Sequence, residues 1–304
     1  MNILEVEKVT KKYGDFTALN EISISVKRNS VFGLLGPNGA GKTSLIRIIN
    51  QITAPDSGEV FFAGERLTAK HVARIGYLPE ERGLYRKMKV GEQALYLARL
   101  KGLDKETALK RLKYWFEKFD IGSWWHRKVE ELSKGMQQKV QFIVTVIHEP
   151  EFLIFDEPFS GFDPINANLL KEEMLELKKK GTTQIFSTHN MVSVEELCDD
   201  IALINKSEKI LDGNINEIKN RNKENIFQVQ YLADNLDLQA VLPDVVEILE
   251  IGTKHNNQEV KIKLPREMTS NELIQMLIPH VQLCGFQEIY PSMNDIFIKA
   301  VKNN

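Results

Sequence analysis

The sequence lacks a long apolar run. None of its 304 residues belongs to a stretch near the roughly 20 apolar residues that a membrane-spanning helix needs, and the longest candidate, residues 142–147, is far shorter. The opening residues, MNILEVEKVTKKYG, alternate apolar and polar side chains and lack the apolar core of a secretory signal. We therefore expect any connection with a membrane to run through a separate partner protein.

Cysteine and surplus charge are also scarce. The two cysteines, Cys198 and Cys284, form no CxxC pair, which is typical of a reducing compartment and argues against a disulfide framework or a zinc site. The formal net charge is -2, so the chain has no excess of Lys or Arg to displace counterions from nucleic-acid phosphates. We expect no nucleic-acid partner.

Apolar periodicity predicts an α/β fold for the first two thirds of the chain. Residues 3–9 and 22–26 alternate apolar and polar side chains, and residues 59–63 form a third short strand-like run, whereas residues 31–35 are almost continuously apolar, as in a strand covered on both faces. A helix then follows, with an apolar face that we assign to Leu45, Ile48, Ile49 and Ile52. Helical periodicity dominates from residue 90 to residue 149, and strands and helices alternate beyond it, which predicts a mostly parallel sheet.

A polar segment without periodicity, residues 219–224, marks the predicted domain boundary. We assign residues 1–219 to the first domain, with a helical insert at about residues 82–149, and residues 222–304 to the second. The second domain has predicted strands at 226–231, 245–251, 259–264 and 287–290, a weak helix after the first, and helices at 271–281 and from about 292. This β-α-β-β-α-β order is typical of a small ferredoxin-like α+β domain.

A glycine-rich loop after the buried strand predicts a phosphate site. Its sequence, GPNGAGKT, fits the pattern G-x-x-x-x-G-K-[ST], in which backbone N–H groups and a helix N-terminus surround an anion. Lys42 can reach the β- and γ-phosphates of ATP, and the Thr43 hydroxyl can hold Mg²⁺. The predicted nucleotide-binding residues of this loop are Gly36, Pro37, Asn38, Gly39, Ala40, Gly41, Lys42, Thr43 and Ser44.

The segment FLIFDE supplies two candidate acids. A buried strand ending at Asp156 would place that carboxylate beside Mg²⁺, and Glu157 is then our candidate general base for a water molecule aimed at the γ-phosphate.

The segment LSKGMQ opens a helix with one apolar face. Ser133 is a good N-cap for this helix, and Gly135 permits close backbone approach. By itself, LSKGMQ is better explained as a simply capped helix, and only the order of the motifs along the chain favours an anion-binding role.

The order of these motifs resembles the ATP-binding subunits of ABC (ATP-binding cassette) transporters over about residues 1–215. The resemblance implies a P-loop NTPase cassette fold: a mixed β-sheet core, an antiparallel β subdomain and an inserted helical subdomain. It further implies that Tyr13 stacks on adenine, that Asp163 in SGFD lies in a loop crossing to a partner copy, and that His189 in STHN touches the γ-phosphate. Two ATP molecules would be buried in a head-to-tail homodimer, each covered by Ser133 and Gly135 of the other copy.

Two motifs depart from the family pattern. In LSKGMQ, Lys134 and Met136 replace the usual Gly and Gln, and Glu80 in GYLPEERGLY stands where a Gln is usual, adding a negative charge to the predicted metal ligands. Together with the C-terminal PSMNDIFIKAV, the GYLPEERGLY variant resembles a subgroup of exporter subunits for sodium or antibiotics, which pair with separate membrane permeases. The resemblance thus implies a cytoplasmic protein, peripheral on the inner face of the cell membrane.

Other interpretations stay open at this point. A soluble ABC ATPase that acts on ribosomes or DNA is the alternative function, although this chain has one cassette and no heptad tract. Trp124 and Trp125 either receive a helix of the membrane partner, since aromatic residues make good anchors, or pack inside the helical insert. We favour packing.

Overall fold

The computed structural model describes residues 1–81, 83–233, 237–254 and 257–303. Residue 82, the first of the predicted helical insert, and residue 304, the last of the predicted second domain, lie outside these ranges. The chain divides into two compact units, residues 1–215 with 300–304 and residues 216–299. Within the described residues, we find no helix that is long and apolar enough to cross a membrane.

The first unit contains ten strands, six α-helices and three short 3₁₀ helices among its described residues. The strands are β1 (Asn2–Tyr13), β2 (Phe16–Lys27), β3 (Val31–Leu35), β4 (Ser57–Phe62), β5 (Glu65–Arg66), β6 (Ile75–Leu78), β7 (Phe152–Asp156), β8 (Thr183–Thr188), β9 (Asp200–Asn205) and β10 (Glu208–Asn214). The helices are α1 (Lys42–Ile49), α2 (Val90–Leu100), α3 (Lys105–Lys118), α4 (Lys134–Val146), α5 (Pro164–Lys179) and α6 (Met191–Leu197).

Two sheets form the first unit. Strands β2-β1-β4-β5 make an antiparallel sheet, and β10-β9-β3-β8-β7-β6 make a second sheet in which only the β9–β10 pair is antiparallel. Strands β3, β7 and β8 are buried along their whole length, which the continuous apolar runs of β3 and β7 predict, whereas β8 (TQIFST) has no such run. Their carboxyl ends meet at one edge, because Leu35 pairs with Thr188 and Asp156 with Ser187.

The insert between β6 and β7 is helical, as predicted. Helices α2, α3 and α4 pack around aromatic side chains, and Phe142 of α4 stacks on Phe155 of β7 with ring centroids 5.8 Å apart. Trp125 packs inside the insert, 5.3 Å from the ring of Phe116. A Cβ built on Gly91 of α2 would lie 2.3 Å from the Trp125 ring. The packing interpretation of Trp125 therefore holds.

Replacing Gly91 with Ala should destabilise the insert. The new methyl group collides with the Trp125 ring, and overpacking of this kind costs about 1–3 kcal/mol of unfolding free energy. Thermal unfolding monitored by Trp fluorescence measures the effect. Gly122→Ala is the matched control, because a Cβ at Gly122 meets nothing within 4 Å. Equal melting temperatures for the two variants would contradict the packing described here.

The predicted apolar face of α1 is wrong at its last residue, Ile52. Helix α1 ends at Ile49, after which Asn50 caps it, and Ile52 lies beyond the helix with 60% of its surface exposed. The chain turns here because Gln51 adopts a left-handed backbone, with φ of 57°. Ile52 therefore belongs to the surface and not to the core face formed by Leu45, Ile48 and Ile49.

The remaining elements follow the β-α-β-β-α-β order after a connecting helix. They are α7 (Ile215–Arg221), β11 (Ile226–Leu232), α8 (Leu238–Val241), β12 (Glu247–Lys254), β13 (Asn257–Lys263), α9 (Ser270–Leu277), β14 (Gln282–Ile289) and α10 (Met293–Lys302). The sheet order is β12-β13-β11-β14, and every pair is antiparallel. Helix α9 ends before the predicted residue 281, because Pro279 has no N–H and disfavours a helical residue before it.

Candidate functional site

The glycine-rich loop connects β3 to α1, and its backbone requires glycine. Gly36 and Gly41 have φ of 150° and 112°, in the region that favours glycine. A Cβ on Gly36 would lie 2.2 Å from the Ile204 carbonyl oxygen, and one on Gly41 would lie 2.3 Å from the Ala18 carbonyl oxygen. The loop is therefore pressed against β9 and β2.

Lys42, the first residue of α1, lies inside this loop. Its ammonium group donates to the carbonyl oxygens of Gly36 at 2.7 Å and Pro37 at 3.0 Å, and only 7% of the residue is exposed. Burial lowers the pKa of Lys42, while the nearby Glu157, Asp156 and Glu80 charges oppose that shift. The ammonium group is thus held where an anion in the loop would meet it.

Asp156, the last residue of β7, is 2% exposed, and its Oδ2 atom has no hydrogen-bond partner among the described residues. Burial raises the pKa of Asp156, a side-chain hydrogen bond with Ser187 opposes that shift, and the charges of Glu80 and Glu157 add to it. A buried carboxylate oxygen without a hydrogen-bond donor lowers the stability of the fold unless a cation or a ligand contacts it.

Glu157 follows Asp156 in a strained backbone conformation. Its φ of 46° is unusual for a residue other than glycine, and its N–H donates to the Ser187 carbonyl oxygen at 2.9 Å. The carboxylate Oε1 lies 2.7 Å from Nδ1 of His189 and accepts the His189 backbone N–H at 3.1 Å, while the Thr188 hydroxyl donates to Oε2 at 3.3 Å. The glutamate is therefore oriented from the end of β8.

A cavity of about 330 Å³ brings most of the predicted residues together. We name it the nucleotide cavity. Sequence reasoning missed Phe16 and Ala18, which follow Tyr13 across the turn YGDF, a position that could have suggested an extended aromatic wall. The lining residues are Tyr13, Phe16, Ala18, Asn38, Gly39, Ala40, Gly41, Lys42, Thr43, Ser44, Glu80, Asp156 and Glu157.

Six predicted residues do not line this cavity: Gly36 and Pro37 at the start of the loop, Ser133, Gly135, Asp163 and His189. Ser133 caps α4 by accepting the Met136 N–H at 3.3 Å, and Asp163 caps α5 by accepting N–H groups at its first turn. A Cβ on Gly135 would lie 3.7 Å from the ring of Phe162, so the start of α4 lies beside the SGFD loop. Ser133 caps a helix within its own copy, as the simpler interpretation of LSKGMQ states, and Asp163 caps α5 in the same way.

Helix α4 also holds the segment that carries Glu80. The Gln141 side chain donates to the carbonyl oxygens of Pro79 at 3.4 Å and Glu81 at 3.5 Å, and the Thr145 hydroxyl donates to that of Tyr77 at 3.4 Å. These contacts connect the helical insert to the backbone on both sides of Glu80.

The same segment lines a larger, mostly apolar groove of about 530 Å³ through Tyr77, Pro79, Gly83 and Leu84. We name it the insert groove. Among the described residues, neither Trp124 nor Trp125 lines it, so the groove interpretation of these tryptophans is not supported. The lining residues are Asn50, Ile52, Val72, Ala73, Tyr77, Pro79, Gly83, Leu84, Leu97, Leu100, Lys101, Gln141, Val144 and Thr145.

Residues 19–160 match the family described as ABC transporter, and residues 213–301 match the C-terminal domain of DrrA1-3-like ATP-binding proteins. The chain is 42% identical over 300 residues to the uncharacterized ABC transporter ATP-binding protein YhaQ of Bacillus subtilis (strain 168), covering 98% of each. It is 30% identical to the linearmycin resistance ATP-binding protein LnrL of that strain, covering 97% of each. A solved ATP-binding subunit of an ABC transporter matches with a TM-score of 0.67 and 30% identity, covering 72% of this chain and 92% of its own.

Proposed function

The chain belongs to the ABC transporter family as an ATP-binding subunit, and from that premise we propose that two copies hydrolyse ATP between them to drive a separate membrane permease. The supporting observation is the convergence of Lys42, Asp156 and Glu157 at one edge of the parallel sheet. The family is one of transporter ATPases, and the relatives described above offer no support for a ribosome- or DNA-acting alternative.

In the proposed mechanism, the loop N–H groups and Lys42 bind the phosphates while Tyr13 stacks on the adenine. Glu157 polarises the attacking water, a role that typically contributes about 10²–10⁴ in rate. His189 orients Glu157 through the 2.7 Å contact and reaches outward, because 68% of its side chain is exposed against 14% for Glu157. Its second ring nitrogen is then available to the γ-phosphate.

The residues present fit a Mg²⁺ ion that accompanies ATP. The Asp156 Oδ2 atom is buried without a donor, and Thr43 and Glu80 line the same cavity. Among the described residues, no group of three His, Cys, Asp or Glu side chains could hold a metal alone, so phosphate and water oxygens would complete the coordination, as is usual for Mg²⁺. When bound, Mg²⁺ neutralises charge that develops on the β- and γ-phosphate oxygens.

The proposed homodimer gives Ser133 and Gly135 a second role. Ser133 and Lys134 are exposed at the first turn of α4, outside the nucleotide cavity of their own copy. A helix N-terminus favours anions, so this turn can cover a γ-phosphate held by a partner copy. The Asp163 loop, packed beside Gly135, would then lie at the same interface.

We assign the permease to the insert groove. Two of its apolar residues, Ile52 and Leu100, are 60% and 64% exposed, and burial by a helix of the permease would remove them from water. A permease docked there would contact the backbone that carries Glu80. The resistance function named for LnrL supports export as the direction of transport, and such docking would place the chain on the cytoplasmic face of the membrane.

Replacing Leu100 with Asp should weaken permease binding by at least about tenfold, since apolar anchors in grooves dominate such interfaces. Basal ATP hydrolysis by the isolated chain should not change, because Leu100 lies outside the nucleotide cavity. Co-purification of the chain with its co-expressed permease measures binding. Leu109→Asp, on α3 and outside the groove, is the matched control. Equal co-purification of both variants would contradict this assignment.

A further inference from the structure

The nucleotide cavity carries a net negative charge although its proposed ligand is an anion. Among the described residues that line it, Lys42 is the one cation, whereas Glu80, Asp156 and Glu157 are acids. The adjoining cavity adds Arg47, but it is also lined by Glu80, Glu81 and Asp156. Side-chain charge at this site therefore opposes an unaccompanied polyphosphate.

Glu80 is the acid that makes the side-chain charge of this site more negative than the family pattern would. Asp156 is buried, and Glu157 is held by His189 and Thr188, whereas the exposed Glu80 makes no hydrogen bond or ion pair among the described residues. It lines both the nucleotide cavity and the adjoining cavity. A Gln at this position, as in the family pattern, would offer an oxygen without the charge.

We propose that Glu80 makes this subunit select the complex of ATP with a divalent cation over free ATP. The proposal rests on the proposed nucleotide site. The loop N–H groups and the start of α1 attract either form. The Glu80 carboxylate would repel the phosphates of free ATP, whose charge no cation neutralises. It would attract a divalent cation held by Asp156 and the phosphates.

The effect on affinity is expected to be moderate, because Glu80 is exposed to water. One partly screened charge at such a position changes an affinity ratio by roughly fivefold to tenfold at low ionic strength. The ratio should shrink as salt is added, since the Debye length falls to about 8 Å at 0.15 M.

Equilibrium binding of a fluorescent ATP analogue, in excess Mg²⁺ and in excess EDTA at low salt, tests the proposal. The wild-type chain should bind the Mg²⁺ form at least about tenfold more tightly. Glu80→Gln should narrow that ratio by roughly fivefold to tenfold, mainly by binding free nucleotide more tightly, and Glu80→Asp should retain most of the preference. Glu81→Gln is the matched control, because Glu81 does not line the nucleotide cavity, and its ratio should stay near the wild-type ratio.

An unchanged ratio in Glu80→Gln, or an equal change in Glu81→Gln, would overturn the proposal while leaving the nucleotide site intact. If the folded wild-type chain binds the analogue under neither condition, the nucleotide site itself is wrong, and this proposal fails with it. Thermal unfolding of each variant verifies that the compared proteins are folded.

Discussion

Replacing Glu157 with Gln is expected to reduce ATP turnover by about 10²–10⁴-fold, because the amide cannot accept a proton from the attacking water. Binding of ATP should persist, since Lys42 and the loop are unchanged. The variant should therefore accumulate as an ATP-bound dimer, whereas the chain without nucleotide should remain mostly monomeric. Phosphate release measures turnover, and analytical ultracentrifugation with and without Mg-ATP measures the dimer.

The control for this substitution is Glu172→Gln, an exposed glutamate of α5 outside the nucleotide cavity. It should hydrolyse ATP at the wild-type rate. Unimpaired turnover in Glu157→Gln would remove Glu157 as the base. A dimer that forms equally well without nucleotide would instead indicate that the C-terminal domain, and not ATP, joins the two copies.

Replacing Lys42 with Ala is expected to weaken ATP binding by roughly 10- to 100-fold, which corresponds to the loss of a charge-assisted hydrogen bond of about 1.5–3 kcal/mol. Hydrolysis should fall with it, because the ammonium group lies beside Asp156 and Glu157. Titration with a fluorescent ATP analogue measures the affinity.

Lys42 also donates to the carbonyl oxygens of Gly36 and Pro37, so the variant loses two contacts inside the loop. A thermal unfolding curve distinguishes a misfolded loop from a lost phosphate contact. Lys110→Ala, an exposed lysine of α3, is the control and should bind ATP normally. Unchanged affinity in a folded Lys42→Ala protein would contradict the phosphate-loop assignment.

The motifs could be predicted from sequence because their chemistry fixes both residue type and spacing. A loop that turns its N–H groups toward an anion needs the positive φ of Gly36 and Gly41, and a buried strand that delivers an acid needs an apolar run ending in Asp156. The parallel sheet then brings the loop and the acid together, because the carboxyl ends of parallel strands share one edge.

Contacts between separate strands could not be predicted in the same way. The 2.7 Å contact of Glu157 with His189 depends on the register of β7 against β8 and on the left-handed backbone at Glu157. Periodicity alone reveals neither. The predicted strand at 287–290 likewise misses the first half of β14, which pairs with β11 along its length. Residues 282–286 show only weak apolar alternation, and Gly285 interrupts it.

The most direct test of the account is a structure of the Glu157→Gln chain with Mg-ATP. We predict a head-to-tail dimer in which each nucleotide lies on the glycine loop and Lys42 of one copy, and within hydrogen-bond distance of Ser133 in the other. A structure with bound Mg-ATP in which Ser133 and Gly135 of every copy remain far from any nucleotide would contradict it.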